Sequence, residues 1–595
     1  MIDGGRSTRA AQADPRTYGP RTSDPGLPDR RTFQFGDFLD SPDILPALDL
    51  ILRLVALNTG LEQTLQGRYS RLQNVSGIAL KAAAIAFSLK DVNRALEWLE
   101  QGRCLVWNQI NNLRTPLENL RLHDSKLAQA IGDIAKQLET AGSTRVATHT
   151  SLSLSAKISA EDEARAHLSL ARQWDDLLQT ARAIPGFESF LMPVPCSEIR
   201  QHIPDAGAIV VINIDEERCD AVALQAECNE LLHIPLPNFS LKQANKYRVD
   251  LTTQLRSGGL RVRDEEAAVD ANDEASGRPF GPAPQGKWGG KVVRGILRGI
   301  WIDVVKPILE GLNIPRAEGS GEKRLPRIWW CPTGALSFLP IHAAGLHGGS
   351  NLENVADYVV SSYTPTVTAL TDRVKNSFTR PIDKDVAGLF LTSHPNAPGA
   401  SPISGTTTEV RSIYTKAQDK GIRVLKLEGD EVTVGECLEH MQTFSSIHLA
   451  CHGSQNPTDP LKSRFVFHKG SLELGTILQS NLINADLAFL SACQTSTGEE
   501  TLSDEAIHLA AGMLAAGYRR VVATMWSIGD KPAQDVAKDF YEYIWRNRND
   551  DRELSFDGSL SAYALHNAIQ QLRQRSLDDS ERSLLTWVPF VHFGY

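Results

Sequence analysis

From Val386 to the C-terminus, short runs of apolar and β-branched residues alternate with longer stretches of helical periodicity. The runs predict six strands, at 386–393, 422–428, 446–450, 486–491, 520–526 and 589–594. Helices are predicted between them, near 406–419, 432–442, 503–516 and 531–546. This alternation constrains the fold most strongly, because strands joined by helical crossovers pair in parallel. We therefore predict an α/β fold, a mostly parallel sheet with helices on both faces.

Composition narrows the class of protein. The chain has 595 residues, which predicts two to three compact units, and its net charge of −9 gives no electrostatic sign of a nucleic-acid partner. No apolar run reaches the roughly 18 residues that a membrane span needs, so we expect no membrane partner. The N-terminal residues lack the apolar core of a secretory signal, and the eight cysteines are scattered. We expect a cytoplasmic protein with reduced thiols.

The chain divides into three predicted parts. Residues 1–44 are rich in Arg, Pro and Gly and poor in aliphatic residues, so we expect a disordered tail. Residues 45–190 show helical periodicity, and residues 193–595 carry the strands. Within this last part, the acidic, Gly- and Pro-rich stretch from about 264 to 286 predicts a mobile loop.

Two predicted helices, at 77–89 and 92–113, are joined by a short turn, and Asp91 is placed to cap the second. This order looks like a tetratricopeptide unit, which buries its apolar face only against neighbouring helices. A plain helical bundle without repeat identity is the alternative. In either case, we expect the helical region to pack on the rest of the chain.

Two residues at predicted strand ends suggest nucleophilic chemistry. His452 follows the strand at 446–450, and Cys493 follows the strand at 486–491. If these strands are adjacent and parallel, both side chains emerge at one edge, where an imidazole can activate a thiol. The backbone N–H of Gly453 and that of Cys493 are candidate donors to an oxyanion. Together these groups form the set that acyl transfer requires.

Six motifs occur in this order along the chain: WWCPTGALSFLPIHAAG (329–345), HLACHG (448–453), SACQT (491–495), DEAIHLAAGMLAAGYRR (504–520), VVATMWSIGD (521–530) and WVPFVHFG (587–594). Together they resemble the CHAT family, relatives of caspases and separases that are often fused to tetratricopeptide repeats. The resemblance covers roughly residue 193 to the C-terminus, and 76–120 resembles the repeat that often precedes such domains. It implies a caspase-like fold and a cysteine endopeptidase whose dyad is His452 and Cys493.

Resemblance to separase-like relatives also suggests the substrate pocket. There, an acid in the loop after the Trp that matches Trp526 is similar in position to Asp530 and helps hold a basic side chain. Asp530 is therefore expected to pair with a P1 Arg or Lys, provided that the strand at 520–526 runs parallel beside the one leading to Cys493. The alternative is a helix cap, because Lys531 and Pro532 follow. Ser491 stands where basic-specific relatives often place an acid, which departs from that pattern.

Other interpretations compete with these. His448, Cys451, His452 and Cys493 could be imagined as zinc ligands, but strand alternation separates Cys451 from His452, and we expect no metal or other cofactor. His448 and Cys451 are expected to pack in the core, as are His342 and His347 rather than lining the cleft. The function alternatives are a non-catalytic signalling or scaffold protein and a thiol acyl-hydrolase for small molecules. For the endopeptidase, the expected partners are a protein substrate and a regulatory protein bound through the helical region.

Overall fold

The computed structural model describes residues 43–73, 75–144, 154–205, 207–228, 230–260, 291–317, 324–348, 352–400, 402–456, 460–492, 508–547, 556–575 and 580–595. The predicted tail up to residue 42 and the predicted acidic loop at 264–286 lie outside the described residues. Residues Leu45–Tyr595 belong to one compact unit.

The N-terminal part of the described chain is helical, as predicted. Its helices are α1 (Ile44–Asn58), α2 (Leu65–Leu72), α3 (Ile78–Ser88), α4 (Val92–Gln101), α5 (Leu105–Leu113), α6 (Glu118–His123), α7 (Ser125–Thr144) and α8 (Leu154–Arg182). Helices α3 and α4 pack against each other, and the Asp91 side chain caps α4 by accepting a hydrogen bond from Arg94 N at 3.1 Å. The helix–turn–helix pair is thus present, whereas its repeat identity stays a prediction.

The single helix predicted over 92–113 is wrong, because the chain breaks between α4 and α5. Gly102 caps the end of α4, and a Cβ there would meet the Ala79 Cβ at 2.4 Å, so the two segments approach too closely for a larger residue. Cys104 adopts a left-handed conformation with φ 51°. The break turns the Arg103 side chain toward the sheet, where Nη2 donates to the Pro332 carbonyl at 3.1 Å.

The central sheet has eleven strands in the order β3-β2-β1-β4-β7-β16-β15-β14-β10-β8-β9. Its pairs are parallel except for β1–β2, β2–β3 and β15–β16, which are antiparallel. Strands β11, β12 and β13 form a separate antiparallel sheet, and β5 pairs with β6. The strands are β1 (Gly207–Ile214), β2 (Cys219–Gln225), β3 (Leu232–Pro235), β4 (Arg327–Pro332), β5 (Gly345–Leu346), β6 (Glu353–Asn354), β7 (Val360–Tyr363), β8 (Leu389–Ser393), β9 (Val424–Glu428), β10 (Ser446–Ala450), β11 (His452–Ser454), β12 (Arg464–Phe467), β13 (Gly470–Glu473), β14 (Leu487–Ser491), β15 (Arg520–Thr524) and β16 (Phe590–Gly594).

Helices cover both faces of this sheet, which confirms the predicted α/β class. The helices in this part of the chain are α9 (Cys196–Ile199), α10 (Leu241–Ser257), α11 (Val292–Ile300), α12 (Lys306–Gly311), α13 (Val367–Thr379), α14 (Gly405–Asp419), α15 (Val434–Thr443), α16 (Leu474–Gln479), α17 (Leu509–Ala516), α18 (Asp530–Arg546), α19 (Ser561–Arg575) and α20 (Glu581–Trp587). Helices α14, α18 and α19 pack together on the face toward which the His448 side chain points.

The helical part and the sheet share one apolar core. Tyr69 and Trp107 of the helical part belong to the same buried cluster as Val210 and Trp330 of the sheet. Buried polar bonds also cross between them, since Asn213 Nδ2 donates to a main-chain carbonyl of α3 at 2.9 Å. The predicted helical region therefore packs against the sheet-bearing region rather than standing apart from it.

Candidate active site

The strands that lead to the predicted catalytic residues are neighbours. β10 pairs in parallel with β14 on one side and with β8 on the other. Their last residues are in register, because Ala450 lies opposite Ser491 and also opposite Ser393. Since these strands run in the same direction, the residues that follow them leave the sheet at one edge, which we call the carboxyl edge.

His452 follows β10 after a bend at Cys451. The Cys451 N–H donates to the Ser491 carbonyl at 3.3 Å, which ties the bend to the end of β14. His452 then begins β11, where it pairs with Val466 of β12. Its side chain is half-buried. An imidazole at such a position remains accessible to a peptide and to water.

Cys493 lies outside the described residues, as do the residues from 494 to 507. The preceding residue, Ala492, is described and buried. Its carbonyl accepts a hydrogen bond from Thr524 Oγ1 at 2.7 Å, which joins the end of β14 to the end of β15. The described geometry of the site therefore ends one residue before the predicted nucleophile.

Of the two predicted oxyanion donors, Gly453 is the one that lies within the described residues. It lies in β11 opposite Phe465, is half-buried, and follows His452 directly. The part of its N–H in an oxyanion hole stays a prediction, as does that of the Cys493 N–H.

Two of the predicted substrate-binding residues have buried side chains. Ser491 ends β14 and is 8% exposed. Trp526 is 1% exposed, and its Nε1 donates to the Leu585 carbonyl at 3.0 Å. The indole of Trp526 therefore packs in the core beneath the carboxyl edge and is not exposed at the surface of the protein.

Asp530, the third of these residues, is exposed at the start of α18. The strand before it, β15, is parallel to β14, as predicted. Asp530 Oδ2 accepts a hydrogen bond from Gly405 N at 3.1 Å, and Gly405 is the first residue of α14. A carboxylate at a helix N-terminus is favourable. Asp530 thus stabilises the start of α14, whereas the cap of its own helix is Gly529.

His448 belongs to a buried polar network beneath the carboxyl edge. Its Nε2 lies 2.9 Å from Glu409 Oε1 and its Nδ1 lies 3.2 Å from the Tyr541 hydroxyl. The ring also stacks on Phe489, with 4.8 Å between the centroids. This network links β10 to α14 and α18. The expectation that His448 packs in the core agrees with these contacts, whereas Glu409 and Tyr541 were not identified from the sequence.

His394 was also missed by the sequence reasoning. It directly follows β8 at the carboxyl edge, is completely buried, and stacks on Phe467 with 4.0 Å between ring centroids. Its Nδ1 accepts a hydrogen bond from His468 N at 3.2 Å, so Nε2 carries the proton and donates to Thr392 Oγ1 at 3.2 Å. Burial, together with the nearby His468, lowers the pKa of His394 to about 4. The position of this residue one step after a predicted strand was the signal that could have identified it.

His342 and His347 are both engaged in packing. His342 is held between the Tyr363 hydroxyl and the Val588 carbonyl, each at 2.8 Å, and burial lowers its pKa to about 4. His347 is buried, and its Nε2 lies 2.8 Å from the Ala343 carbonyl.

Among the described residues, which do not include Cys493, no three His, Cys, Asp or Glu side chains are grouped to hold a metal ion. None of the described helices is long and apolar enough to cross a membrane.

The CHAT domain family matches residues 295–595, which is about half of the chain. The chain therefore belongs to the CHAT-domain family. No curated protein matches it.

Solved structures give weaker likenesses. The Saccharomyces cerevisiae separase–securin complex at 2.6 Å resolution is 12% identical with a TM-score of 0.41, covering 85% of this chain and 38% of that chain. A second structure of that complex, at 3.0 Å, is 10% identical with a TM-score of 0.43, covering 94% and 48%. The Arg-specific cysteine proteinase gingipain R is 14% identical with a TM-score of 0.33, covering 59% and 75%. This chain thus spans less than half of the separase chains.

Proposed function

We propose that this protein is a cysteine endopeptidase that cleaves protein substrates through His452 and Cys493. The observation that carries the proposal is the register of Ala450 with Ser491 on adjacent parallel strands. Each predicted catalytic residue lies two positions beyond one of these paired residues, and adjacent strands are about 4.8 Å apart. Membership of the CHAT-domain family supports the same assignment, because the resemblance of the motifs to this family implies a cysteine endopeptidase.

The chemistry follows from these two groups. The Cys493 thiolate attacks the carbonyl carbon of the scissile peptide, and the backbone N–H groups of Gly453 and Cys493 donate to the resulting oxyanion. Protonated His452 gives its proton to the leaving amine as the C–N bond breaks, which leaves an acyl-enzyme thioester. His452 then takes a proton from water as the hydroxyl attacks, and the thiolate is released.

The proposed P1 preference is for Arg or Lys and rests on Asp530. Its hydrogen bond from Gly405 uses one of about four acceptor positions of a carboxylate, so a cation can still be bound. Asp530 is exposed in the free protein, where an ion pair contributes only about 0–1 kcal/mol. The preference is therefore strong only if the bound peptide covers the pair. Ser491 would form the floor of the pocket, and Trp526 would support its wall.

We also propose that residues 193–595 act as the protease domain and that residues 45–190 regulate it. The shared apolar core supports this arrangement, because a change in the helical part must repack residues that also contact the sheet. A regulatory protein bound to the helical region would act through the same contacts.

The test compares the full chain with Cys493→Ala and His452→Gln on a mixture of denatured proteins, with mass-spectrometric identification of new termini. Cleavage by the wild type and by a Cys228→Ser control is expected, with none by Cys493→Ala. Cys228 is a suitable control because it is an exposed thiol far along the chain from both residues. Equal cleavage by wild type and Cys493→Ala would exclude the proposed nucleophile, and no cleavage by any form would favour the scaffold function.

A further inference from the structure

His394 contacts two parts of the chain that flank His452. Its main-chain N–H donates to the Ala450 carbonyl at 2.9 Å, which fixes the end of β10 two residues before His452. Its ring contacts β12, the strand that pairs with β11. His394 therefore holds both the chain that leads into His452 and the strand that lies beside it.

The contact with β12 uses both the face of the imidazole and a ring nitrogen. The rings of His394 and Phe467 stack with 4.0 Å between their centroids and 14° between their planes. The N–H of the next residue, His468, donates to His394 Nδ1 at 3.2 Å. The side chains of His394 and Phe467 are completely buried, and a hydrogen bond in such surroundings is stronger than one in water.

Strand β12 in turn sets the position of β11. Val466, which precedes Phe467, pairs with His452, and Phe465 pairs with Gly453. Strand β11 lies at the edge of the three-stranded sheet β11-β12-β13, so β12 is its partner in that sheet. The Cα atoms of residues paired across antiparallel strands are only about 4.5–5.5 Å apart. A movement of Phe467 would therefore displace the backbone of His452 through the pair that His452 forms with Val466.

Two other hydrogen bonds hold the turn between β12 and β13, and both are exposed. His468 Nδ1 lies 3.1 Å from the Asn396 carbonyl, and Lys469 Nζ donates to the Asp430 carbonyl at 2.8 Å. Exposed bonds are readily exchanged for bonds to water, so they hold a turn weakly. The bond to His394 instead ends on a buried ring, and its loss would leave the His468 N–H without that acceptor.

An apolar side chain could fill the space of the His394 ring but could not accept this bond. The acceptor at Nδ1 requires a neutral ring with its proton on Nε2, which donates to Thr392 Oγ1 at 3.2 Å. Both ring nitrogens are thus used. A buried polar group whose hydrogen bonds are all made specifies one arrangement of the elements around it.

We propose that His394 is a positioning residue for His452, which it holds through Ala450 on one side and through β12 on the other. His394 acts through the main chain and through strand pairing. The inference rests on the proposed function insofar as it concerns turnover, whereas the effect on the position of the His452 ring does not require peptidase activity.

The test compares His394→Asn with His394→Leu in the full chain. The two replacements are similar in size and neither is aromatic, but Asn keeps an oxygen acceptor near the position of Nδ1. One readout is the NMR signal of the His452 ring in protein labelled with ¹³C at histidine Cε1, assigned by its absence in His452→Gln. The other readout is kcat and KM for fluorescein-labelled denatured casein.

His394→Leu should shift or broaden the His452 signal relative to His394→Asn and lower kcat by about tenfold, with KM within about twofold. The reason is that a misplaced imidazole impairs the chemical step more than substrate binding. His394→Asn should keep most of the wild-type kcat. Equal kcat and equal His452 signals in the two variants would overturn the proposal. If His394→Leu does not fold, His394→Phe replaces it, because Phe keeps a ring against Phe467 without the acceptor, and wild-type values in that variant overturn the proposal as well.

The matched control is His592→Asn. His592 is also buried with both ring nitrogens bonded, to Ser362 Oγ at 3.0 Å and to Ser561 Oγ at 2.8 Å. It lies in β16, which β15 and β14 separate from β10. His592→Asn should lower the melting temperature while the His452 signal and kcat stay at wild-type values.

If His592→Asn changed both readouts as much as His394→Leu does, the cause would be general destabilisation, and the proposal would be wrong. An altered His452 signal in His394→Leu, in a protein that shows no peptidase activity, would support the positioning role and refute the proposed function separately.

Discussion

Two neighbouring regions, the buried network at His448 within β10 and the carboxyl edge at His452 just past its end, use the same type of side chain in different ways. His448 is completely inaccessible, and both of its ring nitrogens have protein partners, Glu409 and Tyr541. His452, four residues later, is half-buried and lies beyond the bend that ends β10. The first region joins a strand to two helices, whereas the second opens toward whatever binds at the edge.

The difference shows that position relative to a strand end decides what a histidine can do. Inside β10, the side chain must point into the helix layer, where an imidazole is stable only with hydrogen-bond partners. Past the end of β10, the chain leaves the sheet, and the His452 side chain is only half-buried. Activity should therefore depend on the edge and stability on the network, and each of the following predictions tests that separation.

The largest effect is expected at the edge. His452→Gln should lower kcat/KM by about a hundredfold to ten-thousandfold, because both the base for the thiol and the acid for the leaving amine are lost. The free energy of unfolding should change by less than about 1 kcal/mol, as is usual for a position outside the core. Steady-state kinetics and urea denaturation of the same samples measure both quantities. If His452→Gln were also strongly destabilised, the predicted separation of activity from stability at the two regions would be wrong.

The network should respond in the opposite way. His448→Leu leaves the Glu409 carboxyl buried without its partner, which should cost about 3–5 kcal/mol of unfolding free energy. The double variant His448→Leu/Glu409→Leu should recover a large part of that loss, because no uncompensated polar group then remains. Denaturant midpoints of the two single variants and the double variant complete the cycle. Additive losses would mean that the two side chains do not act as a pair.

Acid should weaken the fold through the buried histidines. Burial lowers the pKa of His342 to about 4, and burial followed by His468 lowers that of His394 to about 4, so the folded protein binds fewer protons than the unfolded chain. Their stabilising contribution is complete above the unfolded pKa of about 6.5 and is lost as the pH falls toward about 4, by at most a few kcal/mol. Melting temperatures across this pH range should decline less steeply in His394→Gln. An unchanged slope in His394→Gln would mean that this histidine does not carry the acid sensitivity.

The smallest effect is expected at Asp530. Asp530→Asn should lower kcat/KM about tenfold for peptides with Arg or Lys at P1, and much less for neutral residues. Asn keeps an acceptor for Gly405 N, so the start of α14 should remain capped and the melting temperature unchanged. A fluorogenic peptide library separates the pocket role from the structural one. If P1 selectivity is identical in both proteins, Asp530 serves only α14.

Much of the fold could be predicted from the sequence, and the features that could not be predicted have physical reasons. The alternation after Val386 predicted six of the eleven strands of the central sheet, with ends displaced by up to three residues, because strand interiors are strongly apolar whereas their ends depend on pairing. The break at Gly102 was missed because helical periodicity continues through it, and the close approach of Ala79 and Leu52 that favours glycine there depends on tertiary packing. Glu409 was missed because a charged residue on an amphipathic helix is usually exposed, and its burial depends on a histidine 39 positions away.

The central claim is that His452 activates Cys493, and the reactivity of that thiol tests it most directly. The measurement is the alkylation rate of Cys493 by iodoacetamide between pH 5 and 9, in wild type and His452→Gln, with Cys228 in the same chain as the exposed reference thiol. A thiol beside an imidazolium should react well below the ordinary pKa of about 8.5. We predict faster labelling of Cys493 than of Cys228 at pH 6 and a loss of about tenfold or more in His452→Gln. Labelling of Cys493 that is slower than that of Cys228 and indifferent to His452 would contradict the account.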